Sequence, residues 1–330
     1  MARAGFPRRQ GAIEGRGGIG RPFLFGPGPL DPVPAFPRGI MSLLTVAPAI
    51  FVLIWSTGWI VAKYAAPYAD PLTFLAVRYA TAGLVLAVIA GVARSEWPKT
   101  RMAAFHAVIS GVLLHTGYLG GVWWAIAHGL PAGVSALIAA VQPLLTAALA
   151  ARLAGERLRP VHLLGILLGF LGVLGVIAPK LAGISFAGMS GLGLAVVINI
   201  VAMISVTFGT FYQKKYVASG DLRMITVLQY IGAFATTLPL AVLFEPMRFE
   251  FRAETWWALA WSVIVLSIGA IGLMLMMIRR GAVSKVAALI YLIPPTAAVQ
   301  AFLMFGETLT LVQVGCMGIA ALGVYLASRP

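Results

Sequence analysis

The sequence predicts an all-α integral membrane protein with ten transmembrane helices, arranged as two inverted five-helix repeats. Three observations predict this fold class: the apolar composition, the distribution of positive charge, and the recurrence of scarce residues at an offset of 151 positions. They bear in turn on the solvent around the helices, on their orientation and on their internal symmetry.

Composition places the chain in lipid. The chain has 330 residues, of which 60% are hydrophobic and 10% charged, and its mean hydropathy is +0.95. One soluble core cannot bury that much apolar surface. Because a span needs roughly 20 mostly apolar residues, ten spans leave only short loops and a tail, with no room for a separate soluble catalytic domain.

Residues 1–42 differ from the rest of the chain. They carry six Arg residues among many Gly and Pro residues, and prolines at positions 27, 29, 32, 34 and 37 interrupt any apolar core. A signal peptide is therefore not expected, and we predict a basic, disordered tail. The alternative is a start at Met41, which opens directly into an apolar run.

Ten apolar windows follow the tail, and they divide into a first repeat over residues 43–178 and a second over residues 190–328. We place the spans near 43–64, 71–92, 102–126, 131–152, 160–178, 190–213, 222–244, 255–277, 283–304 and 309–328.

Positive charge predicts the orientation. The net charge of +14 would suggest nucleic acid in a soluble protein, but in a membrane protein Lys and Arg mark cytoplasmic loops. With the N-terminus inside and the tail left out, the inner segments hold 13 Lys and Arg residues and the outer loops hold 4. We therefore predict an inner or plasma membrane protein with both termini cytoplasmic and no nucleic acid partner.

The internal repeat predicts inverted halves. Sliding the chain by 151 residues aligns Lys63 with Lys214, Asp70 with Asp221, Tyr79 with Tyr230, Pro143 with Pro294 and Glu156 with Glu307. Such matches carry weight because these residue types are scarce here. Each repeat holds five spans, an odd number, so the second copy enters the membrane upside down. Inverted repeats of this kind are typical of transporters.

Several short motifs resemble the EamA family of the drug/metabolite transporter superfamily. The fourth span resembles it through GVSAL at 133–137, QPL at 142–144 and GERL at 155–158, and the ninth through AALIYLIPP at 287–295 followed by GE at 306–307. WSTG at 55–58 resembles the first span of the family, and Arg78 with Tyr79 the second. The resemblance implies ten helices and export of amino acids or related metabolites.

The leading interpretation is a secondary transporter that works by alternating access on a small-molecule solute. The sequence lacks the P-loop pattern G-x-x-x-x-G-K-[ST] of nucleotide-driven pumps. The alternatives are an intramembrane lipid-modifying enzyme and a receptor or scaffold without transport. No catalytic constellation, metal site or cofactor motif is evident, so we expect no enzyme and no cofactor.

Arg78 is the main candidate for contact with the solute. It lies within the second span, about 10 Å from its predicted outer end, and intramembrane charges are functional-site hypotheses by default. It either holds a substrate carboxylate, snorkels outward or pairs with a helix-end carbonyl. Its repeat counterpart is Gln229, so its role is confined to one side of the pseudo-symmetry.

The other candidates are polar or aromatic side chains within the spans. The imidazole of His115, at mid-membrane, either relays protons or contacts the solute. The alternative is a buried histidine whose hydrogen bonds are structural. The aromatic residues either line a cavity, pack between helices or face lipid. The candidates are Trp55, Trp59, His115, Tyr118, Gln142, Tyr230 and Tyr291.

Pro143 and Pro294 are expected to kink the fourth and ninth spans, either as hinges at the repeat interface or as static bends. Glu156 and Glu307 fall at span ends, where we expect them to cap helices or pair with Arg. Gly165 and Gly169 form a GxxxG motif that permits close helix contact within one chain or between two. The motif is therefore compatible with a homodimer.

Overall fold

The computed structural model describes residues 38–139, 142, 145–146, 149, 160–182, 189–217, 220–273, 277 and 292–327. The chain divides into two units, residues 1–42 and residues 43–330. In the first unit only residues 38–42 are described, and they are helical. The predicted disordered tail lies outside the described residues and stays a prediction. Everything below concerns the second unit.

The described part of the second unit is helical, with a single antiparallel bridge between Ala69 and Phe249. Two segments, called π1 and π2, have π-helical hydrogen bonding. In chain order the elements are α1 (Arg38–Ala65), α2 (Pro71–Val92), α3 (Arg101–Gly111), π1 (Val112–Gly120), α4 (Gly121–Ala127), α5 (Ala132–Ile138), α6 (Pro160–Ala182), α7 (Met189–Tyr216), α8 (Leu222–Phe244), α9 (Ala253–Ala260), π2 (Trp261–Ala270), α10 (Ile293–Phe305) and α11 (Leu311–Ala327).

Six helical segments of the described chain are long and apolar enough to cross a membrane. They are Val46–Ala65, Pro71–Val92, Arg101–Ala127, Leu192–Tyr216, Leu222–Phe244 and Ala253–Leu273. Three of the other predicted spans contain the shorter apolar helical stretches Pro160–Gly175, Ile293–Phe305 and Leu311–Gly323, and the fourth contains α5. The described residues confirm the all-helical fold, while the count of ten spans stays a prediction.

Capping residues explain where several helices begin and end. Asp221 precedes α8, and its carboxylate accepts a hydrogen bond from the Arg223 N–H at 2.9 Å, which satisfies one of the unpaired donors of the first turn. Gly306 ends α10 with φ +65°, a left-handed conformation that glycine adopts without strain. Gly129, with φ +95°, turns the chain between the third and fourth spans.

The two π-helical segments occupy equivalent places in the two repeats. An offset of 151 residues carries residues 112–120 onto 263–271, and π2 covers 261–270. Long π-helical stretches are rare in proteins and occur frequently at functional sites. This shared feature was absent from the sequence predictions.

Three spans of the first half pack against their own counterparts in the second half. The second span contacts the seventh, the fourth contacts the ninth, and the fifth contacts the tenth. An element touches its own copy only near a two-fold axis, because the axis relates the two surfaces in contact. The described packing therefore supports the two-repeat architecture.

The seam between α6 and α11 repeats the same contact twice. A Cβ atom at Gly172 would lie 2.5 Å from the Ala320 backbone nitrogen, and one at Gly323 would lie 2.1 Å from the Gly169 nitrogen. The offset of 151 converts the first pair of positions into the second. Gly165 and Gly169 of the GxxxG motif thus contact a helix of the same chain, which supports the interpretation of the motif as a contact within one chain.

Glu307 joins the two halves at the end of the bundle where α1 finishes. Its carboxylate accepts hydrogen bonds from the Lys63 ammonium and from the backbone N–H groups of Ala132 and Gly133, at 3.0 and 2.9 Å. The two backbone donors open α5, so Glu307 caps that helix as expected. Its cationic partner is a lysine rather than the expected arginine, and Glu156 lies outside the described residues.

Candidate functional site

Five side chains from four spans meet where the halves face each other, and we call them the central cluster. Arg78 and Tyr79 come from α2, His115 from π1, Tyr230 from α8 and Ser267 from π2. Tyr79 and Tyr230 are equivalent under the repeat, and their ring centroids are 5.9 Å apart. Since a residue meets its own counterpart only near the pseudo-two-fold axis, the cluster lies on that axis.

Aromatic packing and hydrogen bonds hold the cluster together. The His115 ring stacks on Tyr230 with centroids 4.8 Å apart, and the Tyr79 hydroxyl donates to the His115 carbonyl oxygen at 3.1 Å. The Arg78 guanidinium donates through Nη2 to Ser267 Oγ at 3.2 Å. Ser267 Oγ in turn donates to the Ser262 carbonyl oxygen at 2.9 Å, a bond across five residues within π2.

Two of the seven buried polar atoms without hydrogen-bond partners in the described chain belong to this cluster. Within the described part of the chain, Arg78 Nε, His115 Nδ1 and Ser262 Oγ are buried and make no hydrogen bond. Native proteins leave few buried polar atoms unsatisfied, and each such atom calls for an explanation. Two such atoms in the central cluster, together with a third on π2, make the cluster the candidate site for a polar solute.

Arg78 is buried at helix depth rather than reaching solvent. It is 6% exposed and lies seven residues after Pro71, which is about 10 Å along α2. The structure gives no helix-end carbonyl among its hydrogen-bond acceptors within the described chain. The interpretations in which Arg78 snorkels outward or pairs with such a carbonyl are not those adopted in the structure.

Four predicted residues lie elsewhere or at the edge of this region. Trp55 is half-buried and packs on Phe51 of its own helix, with centroids 5.2 Å apart. Trp59 is buried, and its Nε1 lacks a hydrogen-bond partner. Tyr118 lies in π1 and packs against the apolar core, and Gln142 is half-buried.

The predicted kink residues receive only a partial description. Pro143 and Tyr291 lie outside the described residues. Pro294 is buried in the first turn of α10, a position where proline is well tolerated because its missing N–H would have no helical partner. A hinge at either proline stays a prediction.

Sequence reasoning missed Ser267 and did not assign a site role to Tyr79. The signal for Tyr79 was present, because Tyr79 and Tyr230 were a repeat pair of scarce residues. Ser267 carried no signal, because a serine within an apolar run is common. Its contact with Arg78 joins residues 189 positions apart.

A family model matches both halves of the chain. The model describes the EamA-like transporter family, and it matches residues 41–178 and again residues 192–329. A solved crystal structure with 20% sequence identity covers 87% of this chain and 96% of its own chain at a TM-score of 0.60. That likeness concerns the fold alone.

Curated relatives match over most of their length. A protein of Salmonella typhimurium named "Probable amino-acid metabolite efflux pump" is 27% identical over 87% of this chain and 93% of its own. The "Uncharacterized transporter YvbV" of Bacillus subtilis is 28% identical, over 80% and 84%. The "Uncharacterized inner membrane transporter YedA" of Escherichia coli is 25% identical, over 87% and 92%.

Proposed function

Because this chain belongs to the EamA-like transporter family, we propose that it exports amino acids or similar small metabolites by alternating access. The chain is a multi-pass inner-membrane transporter of the drug/metabolite transporter superfamily, with a small-molecule solute. The proposal adds the solute class, the direction and the mechanism. The name of the Salmonella relative supports the solute class and the direction.

The central cluster on the pseudo-two-fold axis is the observation that carries the proposal. Transporters built from inverted repeats bind their solute near the bilayer midplane, at the repeat interface. The contact between Tyr79 and Tyr230 marks that interface, and the unpaired atoms of Arg78 and His115 lie beside it. Rocking of one half against the other about this axis would expose the site to each side in turn.

The proposed solute path extends from the cluster along the facing helices. Arg78, His115 and Tyr230 form its centre, and Pro143 and Pro294 are proposed hinges. The charge distribution supports cytoplasmic termini, which would make the Lys63 end the outer end. The remaining proposed lining residues are Trp55, Trp59, Tyr118, Gln142 and Tyr291.

Transport is tested with purified protein in sealed vesicles. Vesicles loaded with unlabelled amino acids are placed in a labelled panel of amino acids and related metabolites, and uptake by counterflow is measured. We expect counterflow for a subset of the panel and none in protein-free vesicles. Folded wild-type protein that moves no solute of the panel would contradict the proposal.

A matched pair of histidine variants separates the site from the scaffold. His115→Leu installs the residue found at the repeat counterpart, Leu266, and we expect it to lower counterflow about tenfold by removing the imidazole whose unpaired Nδ1 would contact the solute. His128→Leu changes an exposed histidine at a helix end and should leave counterflow near the wild-type value. Equal effects of the two substitutions would argue against a solute site at His115.

A further inference from the structure

Arg78 is a buried cation for which the described chain supplies no anion. Every described carboxylate lies in a loop or at a helix end. Most of these carboxylates interact there with a cation or with a helix N-terminus. Asp70 and Asp221 precede helices, and Glu307 binds Lys63. Glu250 and Glu254 interact with Arg252. None of the described ion pairs includes Arg78, so its guanidinium is held by the neutral hydroxyl of Ser267.

An unpaired charge at this depth destabilises the protein unless something compensates it. Removing one partner from a buried ion pair is strongly unfavourable because it strands the other charge, and intramembrane charges pair with one another or mark a solute path. Arg78 is such a stranded charge among the described residues, because none of their ion pairs includes it. An anion that arrives with the solute would compensate this charge.

The free donor of Arg78 fits a carboxylate. Arginine presents its N–H groups in a planar fork that binds two carboxylate oxygens side by side. Nη2 carries two hydrogens and contacts Ser267, while the adjacent Nε is buried without an acceptor. The edge formed by Nε and Nη2 is therefore only partly used.

The surroundings of Arg78 select among anions. A single guanidinium balances one negative charge, whereas a phosphate dianion would leave a net charge buried. Tyr79, His115 and Tyr230 pack on one another within the same cluster, and their rings favour an apolar or aromatic body on the solute. The counterpart Gln229 is neutral, and its Nε2 already donates to Ser110 Oγ at 3.0 Å.

We infer that Arg78 is the carboxylate anchor of the solute site, and that this transporter selects organic monocarboxylates, amino acids included, over their neutral analogues. The inference rests on the proposed transport function. It assigns the solute's carboxylate to the α2 side of the pseudo-two-fold axis. Ser267 is a positioning residue, because it holds the guanidinium through Nη2.

The test compares matched solutes in the vesicle assay. Leucine and phenylalanine are paired with leucinamide and phenylalaninamide, which keep the body and the amine but lack the carboxylate. The variants are Arg78→Gln, which installs the residue of the repeat counterpart, Arg78→Lys, which keeps the charge, and Arg101→Gln, an exposed arginine at the start of α3 as the matched control.

Wild type should move the amino acids at least about tenfold faster than the amides, as expected for the loss of a hydrogen bond to a charged group. Arg78→Gln should lose that preference, Arg78→Lys should keep part of it, and Arg101→Gln should keep all of it. Ser267→Ala should reduce the preference less than Arg78→Gln does.

Two results would overturn the inference while leaving transport intact. One is a wild type that moves amides as fast as amino acids, and the other is an Arg78→Gln variant with wild-type preference. Should Arg78→Gln fail to fold, the wild-type preference and thermal shifts by amino acids against amides decide the question. If the folded wild-type protein moves no solute at all, the transport proposal itself is contradicted.

Discussion

Two seams join the halves of this molecule, and they differ in how far they keep the repeat equivalence. In the α6–α11 seam, the close approaches at Gly172 and Gly323 are copies of each other. At the central cluster Tyr79 meets its counterpart Tyr230, but Arg78 corresponds to Gln229 and His115 to Leu266. The helix contacts are thus the same in both repeats, whereas the charged and titratable side chains come from the first repeat only.

The requirements of each seam explain the difference. Close helix contact needs small residues on both surfaces, so both copies of the glycine are used. A second arginine in place of Gln229 would put two buried cations beside the axis, and their repulsion is strong at low dielectric. One cation and one neutral amide satisfy the same position without that repulsion.

The largest effect should come from adding a methyl group to the glycine seam. Gly323→Ala and Gly172→Ala each place a Cβ within 2.5 Å of a backbone nitrogen on the facing helix, and we expect each to destabilise the protein by about 2 kcal/mol. Gly315→Ala and Gly318→Ala are controls on α11 with no atom within 4 Å of the new Cβ. The free energy of unfolding in detergent is measured for all four variants. Equal destabilisation by all four would contradict the close contact between α6 and α11.

A smaller effect on the free energy of unfolding should distinguish Arg78 from its repeat counterpart Gln229. Gln229→Leu removes the hydrogen bond to Ser110, so we expect it to cost about 1 kcal/mol in the solute-free protein. Arg78→Gln removes an unpaired buried charge and should leave the solute-free unfolding temperature equal or higher. If Arg78→Gln destabilises more than Gln229→Leu, Arg78 has a structural role instead.

The smallest effect concerns Asp70 and Asp221, a repeat pair with different partners. Asp221 accepts from the Arg223 N–H, whereas Asp70 accepts from the Arg248 N–H at 2.7 Å and makes no side-chain cap. Partial burial alone would raise the pKa of Asp221. The hydrogen bond from the Arg223 N–H and the charge of Arg223 outweigh it, so the pKa lies below its usual range.

A depressed folded-state pKa stabilises the protein above the unfolded-state pKa, and this stabilisation is lost as pH falls below about 4. We expect Asp221→Ala to cost about 0.5–1 kcal/mol at neutral pH and progressively less on acidification. Unfolding temperatures of wild type and variant across pH measure this difference. Glu96→Gln, at an exposed loop residue, is the control, and a gap for Asp221→Ala that widens in acid would contradict the assignment.

Local sequence patterns predicted the helices and the repeat, because apolar length and scarce-residue spacing are properties of the sequence itself. The same offset also placed Tyr79 opposite Tyr230 once the halves were packed. The π-helical segments were not predictable, since bonding across five residues instead of four leaves no compositional mark. The partners of Arg78 and Glu307 were missed because Ser267 and Lys63 lie 189 and 244 residues away.

Glu307 concentrates the closure of the Lys63 end in a single side chain. Its two oxygens hold the end of α1 through Lys63 and the start of α5 through two backbone donors, while Glu307 itself belongs to the second half. Withdrawing this one carboxylate would therefore release α1 and α5 together. Glu307 thus couples the opening of two contacts of the first half to the movement of one side chain of the second.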